Sequence, residues 1–173
     1  MKCVASMCRS ESKKLKRDAV NEALELVFTA TCYVLITQFR MSVERAKRIL
    51  GRIEYYSLIM LDKDECLTLQ DYEEILKEEY GFILDLSKVK QQKATTKTDL
   101  IKQTAINNSL DFSLTIVAYV MLDKIGLNKK RAEIIIKRIL FYANRALRND
   151  AELKKYKELL KQKYDCEINI TGR

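Results

Sequence analysis

The chain has no proline, no tryptophan and no histidine, and only four glycines in 173 residues. Each absence removes a class of protein. Antiparallel sandwiches and barrels turn often, usually on glycine and proline, and this chain has too few of either. Serine and cysteine triads need an imidazole base, and most catalytic zinc sites use imidazole ligands, so neither chemistry has a residue to run it. No G-x-x-x-x-G-K-[ST] loop and no G-x-G-x-x-G turn is present to cradle phosphates. The acidic stretch Asp62-Lys63-Asp64-Glu65 lacks the central glycine and distal glutamate of a calcium loop and reads as an interhelical turn. A non-enzymatic protein without metal or cofactor is expected.

What is present is apolar and charged. Hydrophobic residues make up 47% and charged residues 32%, the composition of a folded protein rather than a disordered one. The length suits one domain or two small ones, burying ~70% of the unfolded surface. The five cysteines, Cys3, Cys8, Cys32, Cys66 and Cys166, are odd in number and hold no C-x-x-C pair. Cys32 lies in an apolar run and reads as a small core residue. This usage fits a reducing cytosol rather than a disulfide framework. The first residues lack the apolar core of a signal peptide. The longest uncharged runs, Leu26 to Phe39 and Phe112 to Leu122, fall short of the ~20 residues that span a bilayer and read as buried core helices.

The net charge of +8 is uneven. Residues 1–86 carry 13 Lys/Arg against 15 Asp/Glu, a balance of −2, and residues 87–173 carry 19 against 9, a balance of +10. The basic half suits a polyanion or an acidic protein surface, or serves solubility alone.

An internal repeat organises the chain. Sliding it by 86 positions aligns residues 19–64 with 105–150 without a gap, and 14 of the 46 positions are identical. They include Asn21/Asn107, Thr29/Thr115, Tyr33/Tyr119, Arg45/Arg131, Arg52/Arg138 and Tyr56/Tyr142. After a two-residue deletion the match resumes, with Tyr72 to Tyr80 against Tyr156 to Tyr164. Each copy reads as three helices. The expected organisation is an N-terminal segment 1–11, a first copy 12–86, a basic polar linker 87–98 and a second copy 99–173.

The first helices are expected from about Ser12 to Phe39 and from about Asp99 to Ile125. Turns at Arg40-Met41 and Gly126-Leu127 follow, and Gly126 suits a left-handed cap. Ser42 and Asn128 are N-caps for second helices reaching about Leu61 and Leu147. Thr68-Leu69-Gln70-Asp71 reads as a capping box opening a third helix that Gly81 ends, matched by a helix from about Asp150 to Tyr164. The alternating tails Phe82 to Leu86 and Cys166 to Ile170 read as a small β element. Both first helices are apolar nearly all round at Val27 to Ile36 and Leu114 to Leu122, so they need cover on most sides. The fold expected is all-α, with duplicated three-helix units packed as one pseudo-twofold domain. An intermolecular pairing into a homodimer would give the same cover.

The second helix of the second copy carries the candidate site. Ala132, Ile135, Ile136, Ile139, Leu140, Tyr142, Ala143, Ala146 and Leu147 fill one arc, which faces the core. The opposite arc holds Lys130, Arg131, Lys137, Arg138, Arg145 and Arg148, with Ile134 and Phe141 among them. The first copy keeps Arg45, Arg48, Arg52, Tyr55 and Ile59 on its equivalent arc. An apolar pair framed by arginines suits a protein contact, and basic residues around an aromatic suit a nucleic-acid strand with a stacked base. A structural reading stands beside these: Arg52 with Glu74 and Arg138 with Glu158 as salt bridges, and Ile134 and Phe141 packed under the third helix. Glu73 and Lys77 are spaced for an i, i+4 pair. Asn21 and Asn107 are placed to hydrogen-bond across the pseudo-twofold. The paired tyrosines read as core residues or as the lining of a symmetric ligand pocket.

Val43-Glu44-Arg45-Ala46-Lys47-Arg48-Ile49-Leu50, followed by Leu67 to Gly81, resembles small helical proteins of unassigned function carried by bacteriophages and mobile elements of Firmicutes. Those show a basic helix with an R-x-x-R-like element and then an acidic helix ending in E-E-Y/F-G. The resemblance covers most of residues 19–86; the second copy departs from it, with Ile134, Lys163 and Asp165 where the first has Arg48, Glu79 and Gly81. It implies a phage origin, and with it the cytoplasm of a bacterial host. Two expectations follow. One is a phage-encoded protein that binds and inhibits a host protein or ribonucleoprotein, such as a defence nuclease or CRISPR effector. The other is a nucleic-acid or anionic-nucleotide binder using the basic half. An assembly protein of the phage particle is a third.

Overall fold

A computed structural model describes residues 2–61, 68–85 and 96–168. The acidic turn at 62–65, Cys66, linker residues 87–95 and the tail ends Leu86 and 169–170 lie outside the described residues, as do the side chains of Cys3 and Cys8. Six α-helices follow one another: α1 (Lys2–Tyr33), α2 (Val43–Leu61), α3 (Leu69–Tyr80), α4 (Lys97–Tyr119), α5 (Lys129–Arg148) and α6 (Asp150–Tyr164). Short π-helical segments, Val34–Gln38 and Val120–Lys124, extend α1 and α4. No strand occurs among the described residues, so the fold is all-α.

Local chemistry sets most helix ends. Thr68 caps α3 by accepting from Asp71 N at 3.4 Å, and the Asp71 carboxylate accepts from the Thr68 amide in return. The Asn128 carboxamide accepts from Arg131 N at 3.0 Å and Ser42 Oγ from Arg45 N at 3.4 Å, as expected of N-caps. A second capping box opens α4, where Asp99 N donates to Thr96 Oγ1 at 3.1 Å and Thr96 N to Asp99 Oδ2 at 3.0 Å. That helix therefore starts inside the stretch expected as linker. The first helix is also longer than expected, beginning at Lys2 rather than Ser12.

Both central helices stop by one device. Phe39 N reaches back five residues to Val34 O, and Ile125 N to Val120 O. The chain then turns through a left-handed residue, Arg40 (φ 50°) or Gly126 (φ 71°), and the next amide closes on Leu35 O or Met121 O. The third helices end the same way, through Gly81 (φ 58°) and Asp165 (φ 49°). Phe82 N bonds Leu76 O at 2.8 Å, and Cys166 N bonds Leu160 O at 3.0 Å, which is Schellman closure. These turns replace the expected β element: residues 82–85 and 165–168 are irregular. Phe82 and Cys166 point inward because the turn demands it, not because a strand alternates.

The core lies around α1 and α4, which pack along one another. Their apolar centres are buried on all sides, including Val27, Leu35, Leu114, Ile116 and Met121, each worth ~1.5–3 kcal/mol of transfer energy for its side chain. By length and composition alone, Lys14–Gln38 and Lys97–Lys124 could cross a membrane, but 67% of each apolar window is buried inside this bundle. Much of the cover crosses over: α5 and α6 pack on α1 and α3 packs on α4, while α2 lies against both α1 and α4. Ring contacts record the crossing. Tyr33 of α1 meets Tyr142 and Tyr156 at 4.9 and 4.6 Å between centroids, and Tyr119 of α4 meets Tyr56 and Tyr72 at 5.4 and 4.7 Å. Cys32 is a core residue as expected, its Sγ 3.6 Å from that of Cys166. No hydrogen bond joins Asn21 to Asn107; the buried Asn107 Oδ1 has no partner among the described residues.

Candidate partner-binding face

The periodicity of α5 sorts its residues as expected. Ala132, Ile135, Ile136, Ile139, Ala143 and Ala146 are buried. Lys130, Arg131, Ile134, Lys137, Arg138, Phe141, Arg145 and Arg148 are all exposed. Ile134 and Phe141 are 52% and 50% exposed, so packing under the third helix does not account for them. On α2, Arg45, Arg48, Arg52 and Tyr55 are exposed, Tyr55 to 59%, while Ile59 is half-buried. No hydrogen bond, ion pair or ring contact joins the α2 set to the α5 set among the described residues.

The cations divide by what holds them. Arg145 Nη2 lies 2.9 Å from Glu152 Oε1, and its guanidinium sits 5.9 Å from the Phe141 ring centroid. Glu152 also accepts from Tyr156 Oη at 2.9 Å, and that bond, followed by Arg145, holds its carboxyl below the usual range. Lys137 stands 3.9 Å from Glu133 across one helical turn. Arg52 does not reach Glu74; its Nη1 donates to Lys124 O at 2.6 Å and closes the open end of the second π segment. Arg138 makes no bridge to Glu158, and Glu73 makes none to Lys77. That leaves Lys130, Arg131, Arg138 and Arg148 on α5, and Arg45 and Arg48 on α2, without an ion-pair partner among the described residues.

Beside the α5 face runs a groove of about 670 Å³. Leu140, Phe141 and Ile136 form one wall, and Phe82, Ile83 and Leu84 form the other. Ile83 is 75% exposed. Sequence reasoning missed this second wall. The alternating tail was visible, but its use as the far side of a groove required knowing that Gly81 turns it back against α5. Lys129 fixes that approach by donating its ammonium to Gly81 O.

A polar node closes the end of α4 nearby. Tyr80 Oη donates to Asp123 Oδ1 at 2.7 Å, and Lys124 Nζ lies 2.6 Å from Asp123 Oδ2. The same ammonium stands 5.3 and 5.2 Å from the ring centroids of Tyr56 and Tyr119. The Tyr80 phenol's own hydrogen bond to Asp123 pushes it up to about 12. Among the described residues, no three His, Cys, Asp or Glu side chains gather as a metal ligand set. No known protein family, curated protein or solved structure gives a match to this chain.

Proposed function

We propose that this chain is a non-enzymatic binding protein that acts in the cytoplasm of a bacterial host. In this reading it inhibits a host component, a defence nuclease or CRISPR effector, through the exposed face of α5. The observation that carries it is the pair Ile134 and Phe141, half exposed on a folded helix and framed by Lys130, Arg131, Arg138 and Arg148, which have no ion-pair partner among the described residues, beside a groove with largely apolar walls. Apolar anchors ringed by arginine are what a protein contact uses for affinity. The same reading takes the two halves as copies of one unit, packed about a pseudo-twofold. Its support is the 14 shared residues, the recurrence of both π segments at the same 86-residue spacing, and the matched tyrosine contacts.

Nucleic acid is the second reading, favoured by the six unpaired cations. The two separate by salt dependence. If those six each neutralised a phosphate, log affinity would fall against log salt with a slope of about −4 to −5. The test is fluorescence anisotropy with labelled single- and double-stranded DNA and RNA at two salt concentrations, beside cleavage assays with defence nucleases and CRISPR effectors. Protein inhibition predicts no such steep binding, and cleavage blocked by the native chain but released by Phe141→Ala. A hot-spot loss of ~2 kcal/mol is about 30-fold. Steep salt-dependent binding, or inhibition indifferent to both Phe141→Ala and Arg138→Ala, refutes it.

A further inference from the structure

Cys32, near the end of α1, and Cys166, in the turn after α6, hold their sulfurs 3.6 Å apart although 134 positions separate them in the chain. Both are free thiols buried in the core. The fold does not require sulfur there. By the sequence alignment Cys32 corresponds to Ala118, and the matching turn after α3 carries Phe82 where the turn after α6 carries Cys166. Ala118 and Phe82 are buried as well, so one small and one large apolar side chain fill the corresponding places. The thiol pair belongs to one half alone.

The two sulfurs differ in access. Cys32 is 0% exposed, and burial, followed by the Cys166 sulfur beside it, pushes its thiol up and keeps it protonated. Cys166 is 2% exposed and borders a cleft of about 190 Å³ between the end of α6 and residues 166–168. The turn that carries it is closed by two backbone bonds, Asp165 N to Lys161 O at 3.1 Å and Cys166 N to Leu160 O at 3.0 Å. An exposed bridge of 2.7 Å from Lys161 to Glu167 spans the same turn, and such bridges add little. A turn held this lightly opens at lower cost than the helices around it.

We propose that Cys166 and Cys32 are a peroxide-sensitive pair, in which hydrogen peroxide oxidises Cys166 and Cys32 closes on it as a disulfide. The Cys166 thiolate attacks one peroxide oxygen. An S–O bond forms, the O–O bond breaks, and the departing hydroxide takes up the proton Cys166 gave away and becomes water. The Cys32 sulfur then attacks the sulfur of the Cys166 sulfenic acid. An S–S bond forms, the S–O bond breaks, and hydroxide leaves with the Cys32 proton as a second water. Two thiols have lost two electrons to one peroxide. Closing from 3.6 Å to bonding distance needs a movement of ~1.5 Å, shared between two side chains and a backbone turn that is not helical. The bond ties α1 to the turn after α6, and so fastens one of the helices that cover α1.

Peptide mapping of the full chain after treatment with hydrogen peroxide in native buffer tests this. The expected product is a cross-linked peptide joining Cys32 to Cys166, reversed by dithiothreitol. The oxidised chain melts several degrees above the reduced one, because the bond closes a long loop. Cys32→Ala places there the residue that the other half holds as Ala118, so that variant folds. Its Cys166 stops at the sulfenic acid and takes up dimedone. Cys166→Ala leaves Cys32 a thiol at the same peroxide dose. If the folded, peroxide-treated chain yields no Cys32–Cys166 peptide, or yields it only in urea, the proposal is overturned. Dimedone on Cys32 in the Cys166→Ala variant overturns it too, since Cys32 would then meet peroxide without Cys166.

Discussion

Replacing Arg40 separately by glycine and by alanine measures the left-handed turn that ends the first central helix. Arg40 holds φ at 50°, and its counterpart Gly126 holds 71°. A Cβ in this region costs roughly 1–2 kcal/mol, and glycine returns about 0.5–1 of that as unfolded-state entropy. The net preference for glycine over alanine is therefore ~1 kcal/mol. Both substitutions remove the arginine charge from the helix C-terminus, where it is worth ~0.3–1 kcal/mol, so the difference between them is free of that contribution. For a chain of this size ~1 kcal/mol moves the melting temperature by about 2–4 °C. Gly126→Ala reverses the sign, and an added Cβ there meets nothing within 4 Å, so its cost is backbone strain alone. Urea unfolding followed by circular dichroism, with the m-value unchanged, reads both effects. If Arg40→Ala matches Arg40→Gly, or Gly126→Ala costs nothing, the turns are not left-handed and the account of how α1 and α4 end is wrong.

Three further outcomes are expected. Thr68→Ala and Thr96→Ala each lose ~1 kcal/mol of cap stability; the Asp71 carboxyl, held down by the Thr68 amide, supports the fold above the ordinary carboxylate pKa and stops doing so as pH falls through its depressed value, a limb that Asp71→Asn should remove from urea midpoints between pH 6 and 2. Tyr80, pushed up to about 12, favours the fold below pH ~10, and that contribution is lost as pH rises through about 12; Tyr80→Phe should delete this late phase from the 295 nm absorbance titration. Burial pushes the Cys32 thiol up and shields it, so peptide mapping after iodoacetamide treatment should find Cys32 unmodified in native buffer and modified in urea; equal rates in both would contradict its place in the core.

Signals carried within a few residues were legible in the sequence. The caps at Ser42, Thr68 and Asn128, the end of α3 at Gly81 and the buried arc of α5 all follow from local spacing, and all form. The Thr96 box obeys the same rule but sits in a polar run of lysine, glutamine and threonine, where the linker pattern hid it. The tails after Gly81 and Asp165 show why alternation misleads: one left-handed residue and a Schellman closure turn a single side chain inward, and no ladder is involved. What joined distant residues was not legible. Arg52 pairs with a carbonyl 72 positions away, whereas the nearer Glu74 looked like its partner. The exposure of Ile134 and Phe141 was undecided until the position of α6 and the tail was known.

The crossing of cover between α1 and α4 bears on how the protein is made. At a ribosomal rate of ~5–20 residues per second, α1 emerges with Val27 to Ile36 bare and waits roughly several seconds or more for its covering helices. Tyr33 finds its ring partners only after Tyr142 and Tyr156 have been synthesised, so the N-terminal half cannot finish folding during translation. In that interval its apolar stretch is exposed surface of the kind that drives aggregation. A nick within residues 87–95 separates two fragments that each lose part of the cover of their central helix, α5 and α6 for α1 and α3 for α4. Made separately, each is expected to show less helix than its share of the native spectrum, and mixing is expected to restore that spectrum at a rate that rises with concentration.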